Sequence, residues 1–168
     1  MKRIALLSTG GTIEKTYDEL SGLLENRLSV LDVMLASLEL RGLELARISL
    51  MNKDSLEMTP DDHTLIARSA GEAAQRHHGV VVVHGTDRLA VSGERTLELW
   101  NPPAAPIVFT GAMRPYELRN TDALQNLTEA LTAAQLLPPG VYLAMHAQVL
   151  AFPGVIKDRA EGTFVKIA

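Results

Sequence analysis

Ile4-Ala5-Leu6-Leu7-Ser8-Thr9-Gly10-Gly11-Thr12 is the stretch that decides the fold, because an apolar run passes directly into hydroxyl and glycine residues. A short apolar run bounded by turn residues predicts a buried strand. The pattern recurs where the valines at 80–83 lead into His84-Gly85-Thr86-Asp87. In an open parallel sheet the carboxyl ends of the strands face the ligand crevice, so Thr12 and Thr86 are predicted to converge on one substrate.

Strand-like and helix-like segments alternate along the rest of the chain. Apolar residues at helical spacing over 30–40 predict a helix capped by Gly42, after a polar loop that reaches about residue 27. Further helices are predicted over 59–77, 92–100 and 120–137, further strands over 43–50, 107–109 and 141–145, and hairpin strands around Val149, Val155 and Phe164. This alternation predicts an α/β fold, built as a three-layer, doubly wound open parallel sheet.

The composition indicates one soluble domain that spans residues 1–168. The chain is 46% apolar and 21% charged, and it contains no cysteine, which excludes disulfides, thiolate metal sites and cysteine nucleophiles. With a formal charge of −4 and no basic stripe, no nucleic-acid partner is expected, and no stretch approaches the length of a membrane span. The apolar run after Lys2-Arg3 is too short for a secretory leader, so we expect a cytoplasmic protein.

The motif residues also have plain structural interpretations. A threonine after a glycine pair often only hydrogen-bonds its own turn, and Asp87 suits the N-cap of a helix that begins near Leu89. His84 is interpreted as holding its turn by hydrogen bonding rather than as a base. The histidines at 63, 77, 78 and 146 have no metal-like spacing, so we assign them no site.

Three motifs in a fixed order outweigh those interpretations. They are Thr9-Gly10-Gly11-Thr12-Ile13, His84-Gly85-Thr86-Asp87 and Gly111-Ala112-Met113-Arg114-Pro115. With them the chain resembles the bacterial-type L-asparaginase family, which includes the glutaminase-asparaginases. The resemblance covers essentially the whole chain but only the amino-terminal domain of the usual family member. We therefore expect a short-chain form without the second α/β domain.

The resemblance implies hydrolysis of the side-chain amide of L-asparagine to L-aspartate and ammonia, with weaker action on glutamine and without a cofactor or metal. Thr12 matches the family threonine that attacks the amide carbon and forms an acyl-enzyme ester. Thr86, Asp87 and Lys157 match a second group in which a lysine beside a carboxylate polarises the threonine hydroxyl or a water. The family leaves open which threonine attacks and whether water attacks directly.

The resemblance also implies a set of substrate contacts. Ser55 matches a serine that hydrogen-bonds the substrate α-carboxylate, and Asp87 would receive the α-ammonium, because a buried zwitterion needs a partner for each charge. Gly11 and Gly85 would flank oxyanion donors, and Ala112 of the third motif completes the set. The sequence departs from the family pattern at Leu56, where a glutamine or serine commonly adds a contact.

The loop over 14–27 is expected to close over the substrate, with Tyr17 as its chemical contributor. The family tyrosine follows a glycine later in this loop, where the present sequence has Gly22-Leu23. Tyr17 is the phenol available nearby and is predicted to relay the proton of Thr12. The alternative is an ordinary surface tyrosine.

Two other functions compete with hydrolysis of asparagine. One is a non-catalytic module that binds an amino acid, and the other is the amidase subunit of a transamidosome, which would require additional domains. We also expect a homo-oligomer, a dimer or tetramer, because unpaired sheet edges near residues 149–165 invite self-association. Family members take an acidic residue for the ammonium pocket from the second domain of a neighbouring subunit. Without it, weaker apparent affinity is expected.

Overall fold

The computed structural model describes residues 1–27 and 29–167. Its strands in chain order are β1 (Lys2–Gly10), β2 (Thr16–Asp18), β3 (Leu23–Glu25), β4 (Leu43–Lys53), β5 (Gly79–Val83), β6 (Ile107–Thr110), β7 (Val141–Met145), β8 (Gln148–Ala151), β9 (Val155–Asp158) and β10 (Thr163–Lys166). Its α-helices are α1 (Leu31–Ala36), α2 (Pro60–Ala74), α3 (Leu89–Leu99) and α4 (Ala123–Leu136). Within these described residues, no helix combines the length and apolarity needed to cross a bilayer.

A six-stranded sheet in the order β4-β1-β5-β6-β7-β8 forms the centre of the molecule. All neighbouring pairs are parallel except β7 and β8, which are antiparallel. The predicted α/β class and mostly parallel sheet are confirmed. The antiparallel neighbour is β8, which contains the hairpin strand predicted at Val149, because a short turn at His146 and Ala147 leads directly from β7 into β8 and a short turn can join only antiparallel neighbours.

Both faces of this sheet are covered by helices, which explains why its strands lack polar alternation. In β5, Val80 and Val82 belong to an apolar cluster on the α2 and α3 side, and Val81 and Val83 belong to a second cluster on the α1 and α4 side. All five residues of β5 are buried. The three-layer arrangement follows directly from these two cores.

The strand order reverses between β1 and β5. The chain leaves β1 for β4 on one side and then crosses to β5 on the other. In open α/β sheets ligands bind outside the carboxyl ends of the strands at such a reversal. Thr12 follows β1 and Thr86 follows β5, so both lie at this point of the sheet.

Several predicted boundaries require correction. The helix predicted over 30–40 covers only Leu31–Ala36, because the amide and hydroxyl of Ser37 both bond to the carbonyl of Met34 and tighten the last turn. Gly42 is therefore not its cap. The helix predicted to reach residue 77 ends at Ala74.

Two hairpins depart from the central sheet. The loop predicted over 14–27 contains the antiparallel pair β2 and β3. Of the predicted hairpin strands, the one at Val149 joins the central sheet as β8. Those at Val155 and Phe164 form the separate hairpin of β9 and β10. This last hairpin packs Phe164 into the apolar core on the α2 and α3 side.

Candidate active site

The turns that follow β1 and β5 are in direct backbone contact. A Cβ added to Gly11 would lie only 2.5 Å from the Cα and the nitrogen of Gly85, and Gly11 has a φ of +87°. Only glycine permits this approach and this conformation. The contact brings the segments that carry Thr12 and Thr86 together at the reversal of the strand order.

Lys157 is bonded to two residues of the second turn. Its Nζ donates to Thr86 Oγ1 at 2.8 Å and to Asp87 Oδ1 at 2.9 Å. Thr86 is buried, at 5% exposure, and the side chain of Lys157 is 17% exposed. Lys157 lies on β9, so the hairpin after the central sheet delivers the ammonium. The structure thus brings together three of the five residues predicted to be catalytic.

Asp87 is the acidic group on which the cations of the site converge. The hydrogen bond from Lys157 holds the pKa of this carboxyl below its ordinary range, and the nearby Arg159 acts in the same direction. Arg159 Nη2 also contacts Oδ1, at 2.9 Å. Within residues 1–27 and 29–167, Oδ2 accepts no hydrogen bond, so this oxygen is open to a cationic group of a ligand. The alternative role as a helix cap is wrong, because the N-cap of α3 is Arg88 and no side chain bonds there.

Ser55 lies against the same turn from the side of β4. A Cβ on Gly85 would come within 2.8 Å of its Cβ and Oγ. Ser55 is 1% exposed, and its Oγ accepts from the amide of Arg88 at 3.1 Å, which leaves the hydroxyl proton for another acceptor. Leu56 points outward and is 55% exposed.

The third motif packs on Thr86. A Cβ on Gly111 would lie 3.3 Å from Thr86 Cγ2, and the adjacent Ala112 is buried at 1% exposure. Asp122 accepts from the amides of Met113 and Arg114, at 3.0 Å each. These bonds fix the backbone of the motif.

Asp122 belongs to a buried network that sequence reasoning missed. Asn126 donates to Asp122 and to the carbonyl of Gly111, at 2.9 Å in each case. His146 Nε2 lies 2.6 Å from Asp122 Oδ2. Burial opposes ionisation of Asp122, but the hydrogen bonds from the amides of Met113 and Arg114 and from His146 outweigh it and lower the pKa of the carboxyl. The available signal was a pair of polar residues spaced by four positions at the start of a predicted helix.

His84 lies beneath the second turn and is completely buried. Its Nδ1 is 2.7 Å from the carbonyl oxygen of Gly85, and its Nε2 is 2.7 Å from Ser92 Oγ. Burial lowers the pKa of His84 to about 4, so the ring is neutral at pH 7. A carbonyl can only accept, so Nδ1 carries the proton and Nε2 accepts from Ser92. This is the turn-holding role predicted for His84.

No hydrogen bond joins Thr12 to Tyr17 within residues 1–27 and 29–167. Thr12 is half-buried, and its hydroxyl forms no hydrogen bond within the described part of the chain. Tyr17 lies on β2 with 59% of its surface exposed, and its amide donates to Glu117 Oε2 at 2.6 Å. The phenol of Tyr17 therefore occupies the position of a surface tyrosine here, and its role in a closed loop stays a prediction.

The acidic and histidine side chains of the described residues do not form a metal site. Across 1–27 and 29–167, no group of three or more of them is arranged to hold a metal ion. The chemistry of the site is that of two hydroxyls, a lysine, an aspartate and backbone amides.

Comparisons with known proteins agree with the geometry. A family model described as Asparaginase, N-terminal, matches residues 3–163. An L-asparaginase of Thermococcus kodakarensis is 33% identical over 162 residues, which are 95% of this chain and 49% of the relative. A subunit of the glutamyl-tRNA(Gln) amidotransferase of Haloquadratum walsbyi is 35% identical over 146 residues, which are 86% of this chain and 33% of the relative.

Solved structures show the same likeness. The thermostable L-asparaginase from Thermococcus kodakarensis superposes with a TM-score of 0.87 at 34% identity, over 98% of this chain and 51% of that one. A probable cytoplasmic L-asparaginase from Campylobacter jejuni gives a TM-score of 0.79 at 26% identity, over 99% of this chain and 52% of that one. The chain spans about half the length of these asparaginases.

Proposed function

The chain belongs to the asparaginase family, matching its N-terminal domain, and on this premise we propose that it hydrolyses the side-chain amide of L-asparagine to L-aspartate and ammonia. The observation that carries the proposal is the contact of one ammonium with the Thr86 hydroxyl and the Asp87 carboxylate. A hydroxyl is a weak nucleophile until a base or a neighbouring cation activates it. Lys157 places such a cation on the Thr86 hydroxyl, which can then polarise and orient a water.

Thr12 supplies the first nucleophile in the proposed reaction. Its hydroxyl oxygen bonds to the side-chain amide carbon, the C–N bond breaks, and ammonia leaves with the hydroxyl proton. Water then attacks the resulting ester carbon, which releases aspartate and regenerates the hydroxyl. In this scheme Thr86, polarised by Lys157, orients the water. Backbone amides beside Gly11 and Gly85 stabilise the oxyanion, and each such donor typically contributes about 3 kcal/mol.

The charged ends of the substrate would be held by two side chains. Asp87 Oδ2 would receive the α-ammonium, since Lys157 and Arg159 both contact Oδ1. Ser55 would donate its hydroxyl proton to the α-carboxylate. Glutamine is longer by one methylene, a difference that typically changes transition-state binding by about 1–3 kcal/mol. Glutamine is therefore the poorer substrate in this proposal.

The amidase component of a glutamyl-tRNA amidotransferase is the second candidate function. Its support is the identity of 35% to the amidotransferase subunit of Haloquadratum walsbyi, and of 30% to that of Methanococcus vannielii. A third candidate, binding of an amino acid without catalysis, would use Asp87 and Ser55 alone. Ammonia release from asparagine and from glutamine, measured beside calorimetric binding of aspartate, separates the three functions.

The decisive experiment removes the cation. Lys157→Met should lower kcat for ammonia release from asparagine by at least about a hundredfold, the usual scale for loss of a positioned activating group. Lys166→Met is the matched control, because Lys166 lies in the same hairpin and bonds only to the carbonyl of Ala151 among the described residues. Equal activity of the two variants would contradict the assignment of Lys157.

Thr12→Ala and Thr86→Val should each lower turnover by several orders of magnitude and leave the fold intact. Both hydroxyls lie at strand ends, where functional groups rather than packing groups collect. Retention of more than about a tenth of the activity corresponds to only about 1.4 kcal/mol of barrier and would refute the role of that threonine.

We further propose that residues 1–168 act as one catalytic domain in a cytoplasmic homo-oligomer, a dimer or tetramer. Exposed apolar side chains on the edge strand β8 and on the hairpin of β9 and β10 support the assembly, among them Val149 at 47% and Ile156 at 41% exposure. Size exclusion with light scattering measures the mass directly. A monomer at micromolar concentration would refute the proposed assembly.

A further inference from the structure

Glu14 is a buried carboxyl two residues after Thr12, and the proposed reaction does not use it. It is 1% exposed. Its Oε2 accepts from the amide of Gly10 at 3.1 Å, and its own amide donates to the carbonyl of Gly11 at 3.2 Å. The two bonds run in opposite directions across the turn. Together they close the turn that carries Thr12.

The turn needs this support because its backbone departs from regular structure. Gly10 and Gly11 have φ values of +100° and +87°. The register of β1 against β4 shifts between Ser8 and Gly10, so the regular ladder is interrupted at this point. A buried amide without a partner is costly. The Glu14 carboxyl provides the partner for the amide of Gly10.

The returning limb of the 14–29 loop contacts the same turn at two points. Ser29 Oγ donates to Glu14 Oε1. Asn26 Nδ2 donates to the carbonyl of Gly11 at 2.8 Å and also to Asn52 Oδ1 at 3.2 Å. The loop therefore begins at the nucleophile turn and ends by hydrogen-bonding back to it.

We propose that Glu14 is a positioning residue that holds the Thr12 turn and couples its geometry to the returning limb of the loop through Ser29. The two carboxylate oxygens divide these tasks, because Oε2 faces the turn and Oε1 faces Ser29. A displacement of the limb is therefore transmitted to Gly10 through one rigid planar group. The inference rests on the proposed function only where it concerns turnover.

Variants of the Glu14 carboxyl can separate its hydrogen bond to Gly10 from its hydrogen bond to Ser29. Burial raises the pKa of this carboxyl, while the bonds from Ser29 and Gly10 and the nearby Arg47 act against the rise. A neutral side-chain amide can still accept from Gly10 but presents a donor rather than an acceptor to Ser29. Glu14→Gln should therefore preserve the turn and weaken the tie to the limb, whereas Glu14→Ala removes both.

Amide hydrogen exchange, resolved at Gly10 by NMR on the whole chain, tests the coupling without any substrate. Ser29→Ala should speed exchange of the Gly10 amide by about threefold to tenfold, the scale of one lost hydrogen bond. Ser21→Ala is the matched control, because Ser21 accepts from Leu23 and Ser29 accepts from Leu31, both at 3.3 Å, while only Ser29 reaches Glu14. The control should leave Gly10 unchanged.

A double variant shows whether Ser29 acts through Glu14. If it does, Glu14→Ala with Ser29→Ala should exchange at Gly10 no faster than Glu14→Ala alone. Additive acceleration, or no effect of Ser29→Ala, would overturn the proposal. If Glu14→Ala does not fold, the same comparison is made on Glu14→Gln, where Ser29→Ala should add less than twofold.

Turnover gives an independent readout. Ser29→Ala should lower kcat for ammonia release by about threefold to tenfold and leave KM within twofold, since the turn carries the nucleophile and not the groups for the substrate charges. A change in KM alone would contradict the positioning role. If the wild-type chain releases no ammonia, the proposed function fails, and the exchange at Gly10 still decides the coupling.

Discussion

Acidification should destabilise the fold through His84. The ring is completely buried, and its pKa falls from 6.5 to about 4. The unfolded chain therefore takes up a proton on this histidine as the pH drops below 6.5, whereas the folded chain does not do so until about pH 4. Stability attributable to His84 is full above pH 6.5 and declines as the pH falls through this window.

The size of the effect follows from the width of the window. Each pH unit inside it costs the folded state about 1.4 kcal/mol, so the whole window costs about 3 kcal/mol. Domains of this size are typically stable by about 5–15 kcal/mol, so the loss is readily measured. Burial causes it, because charging the ring would require solvation that neither Ser92 nor the carbonyl of Gly85 replaces.

Urea unfolding at pH 7, 6, 5 and 4, followed by the fluorescence of Trp100, measures the loss. His84→Asn keeps a donor for the carbonyl of Gly85 but cannot take up a proton. Between pH 7 and pH 4 the wild-type chain should lose about 3 kcal/mol more than this variant. His63, whose pKa burial also lowers, contributes to both curves and so does not create the difference.

An equal loss of unfolding free energy between pH 7 and pH 4 in wild type and in His84→Asn would refute the role of His84. A direct titration of the His84 ring by NMR in the wild-type chain provides a second measurement if the variant does not fold. A midpoint near 6.5 would show that burial does not suppress protonation at this position.

Three further predictions address the loop, the packing and the charge of the site. Tyr17→Phe should lower turnover at saturating asparagine, because the closed loop is predicted to use the phenol. The control Tyr142→Phe should not, since the Tyr142 hydroxyl bonds only to the carbonyl of Pro138 among the described residues. Equal rates for wild type and Tyr17→Phe would exclude the proton relay. Gly71→Ala should destabilise the fold by about 1–3 kcal/mol and shift the Trp100 emission, because the new methyl group would overlap the indole. Gly42→Ala, with open space around the new methyl group, should leave the stability unchanged. Unchanged stability of Gly71→Ala would contradict the packing of Trp100 on Gly71. Asp87→Asn should lower the free energy of unfolding most above pH 3.8, the ordinary pKa of the carboxyl. The difference from wild type should shrink as the pH falls below that value, because the pKa of Asp87 is lowered in the folded chain. A difference that does not depend on pH would exclude the ion pair as its cause.

The features that the sequence predicts well are those with a local signal. The valines at 80–83 have no polar alternation, so a strand buried on both faces is the natural interpretation. The helix α2 begins as predicted, with Thr59 in a capping box and Pro60 in the first turn. Both features depend on neighbours in the sequence. Local patterns therefore suffice for the class of fold.

Features that depend on residues far apart in the chain could not be predicted from the sequence. The spacing of apolar residues over 30–40 gives the face of a helix but not its end, which Ser37 determines by bonding back to Met34. Asp122 and Asn126 bond to backbone groups of the third motif, and such bonds leave no periodic pattern. Tyr17 pairs with Leu24 across the β2 and β3 hairpin and is 59% exposed, which the sequence of the loop does not indicate.

The delivery of Lys157 from a late hairpin has a consequence for synthesis on the ribosome. Thr86 and its partner ammonium are 71 residues apart in the chain. Chains emerge amino-terminal first, at about 5–20 residues per second. Several seconds therefore separate the synthesis of Thr86 from that of Lys157. A nascent chain that stops before β9 has the Thr86 hydroxyl but lacks the Lys157 ammonium. The contact of Lys157 with Thr86 can therefore form only after β9 has been synthesised.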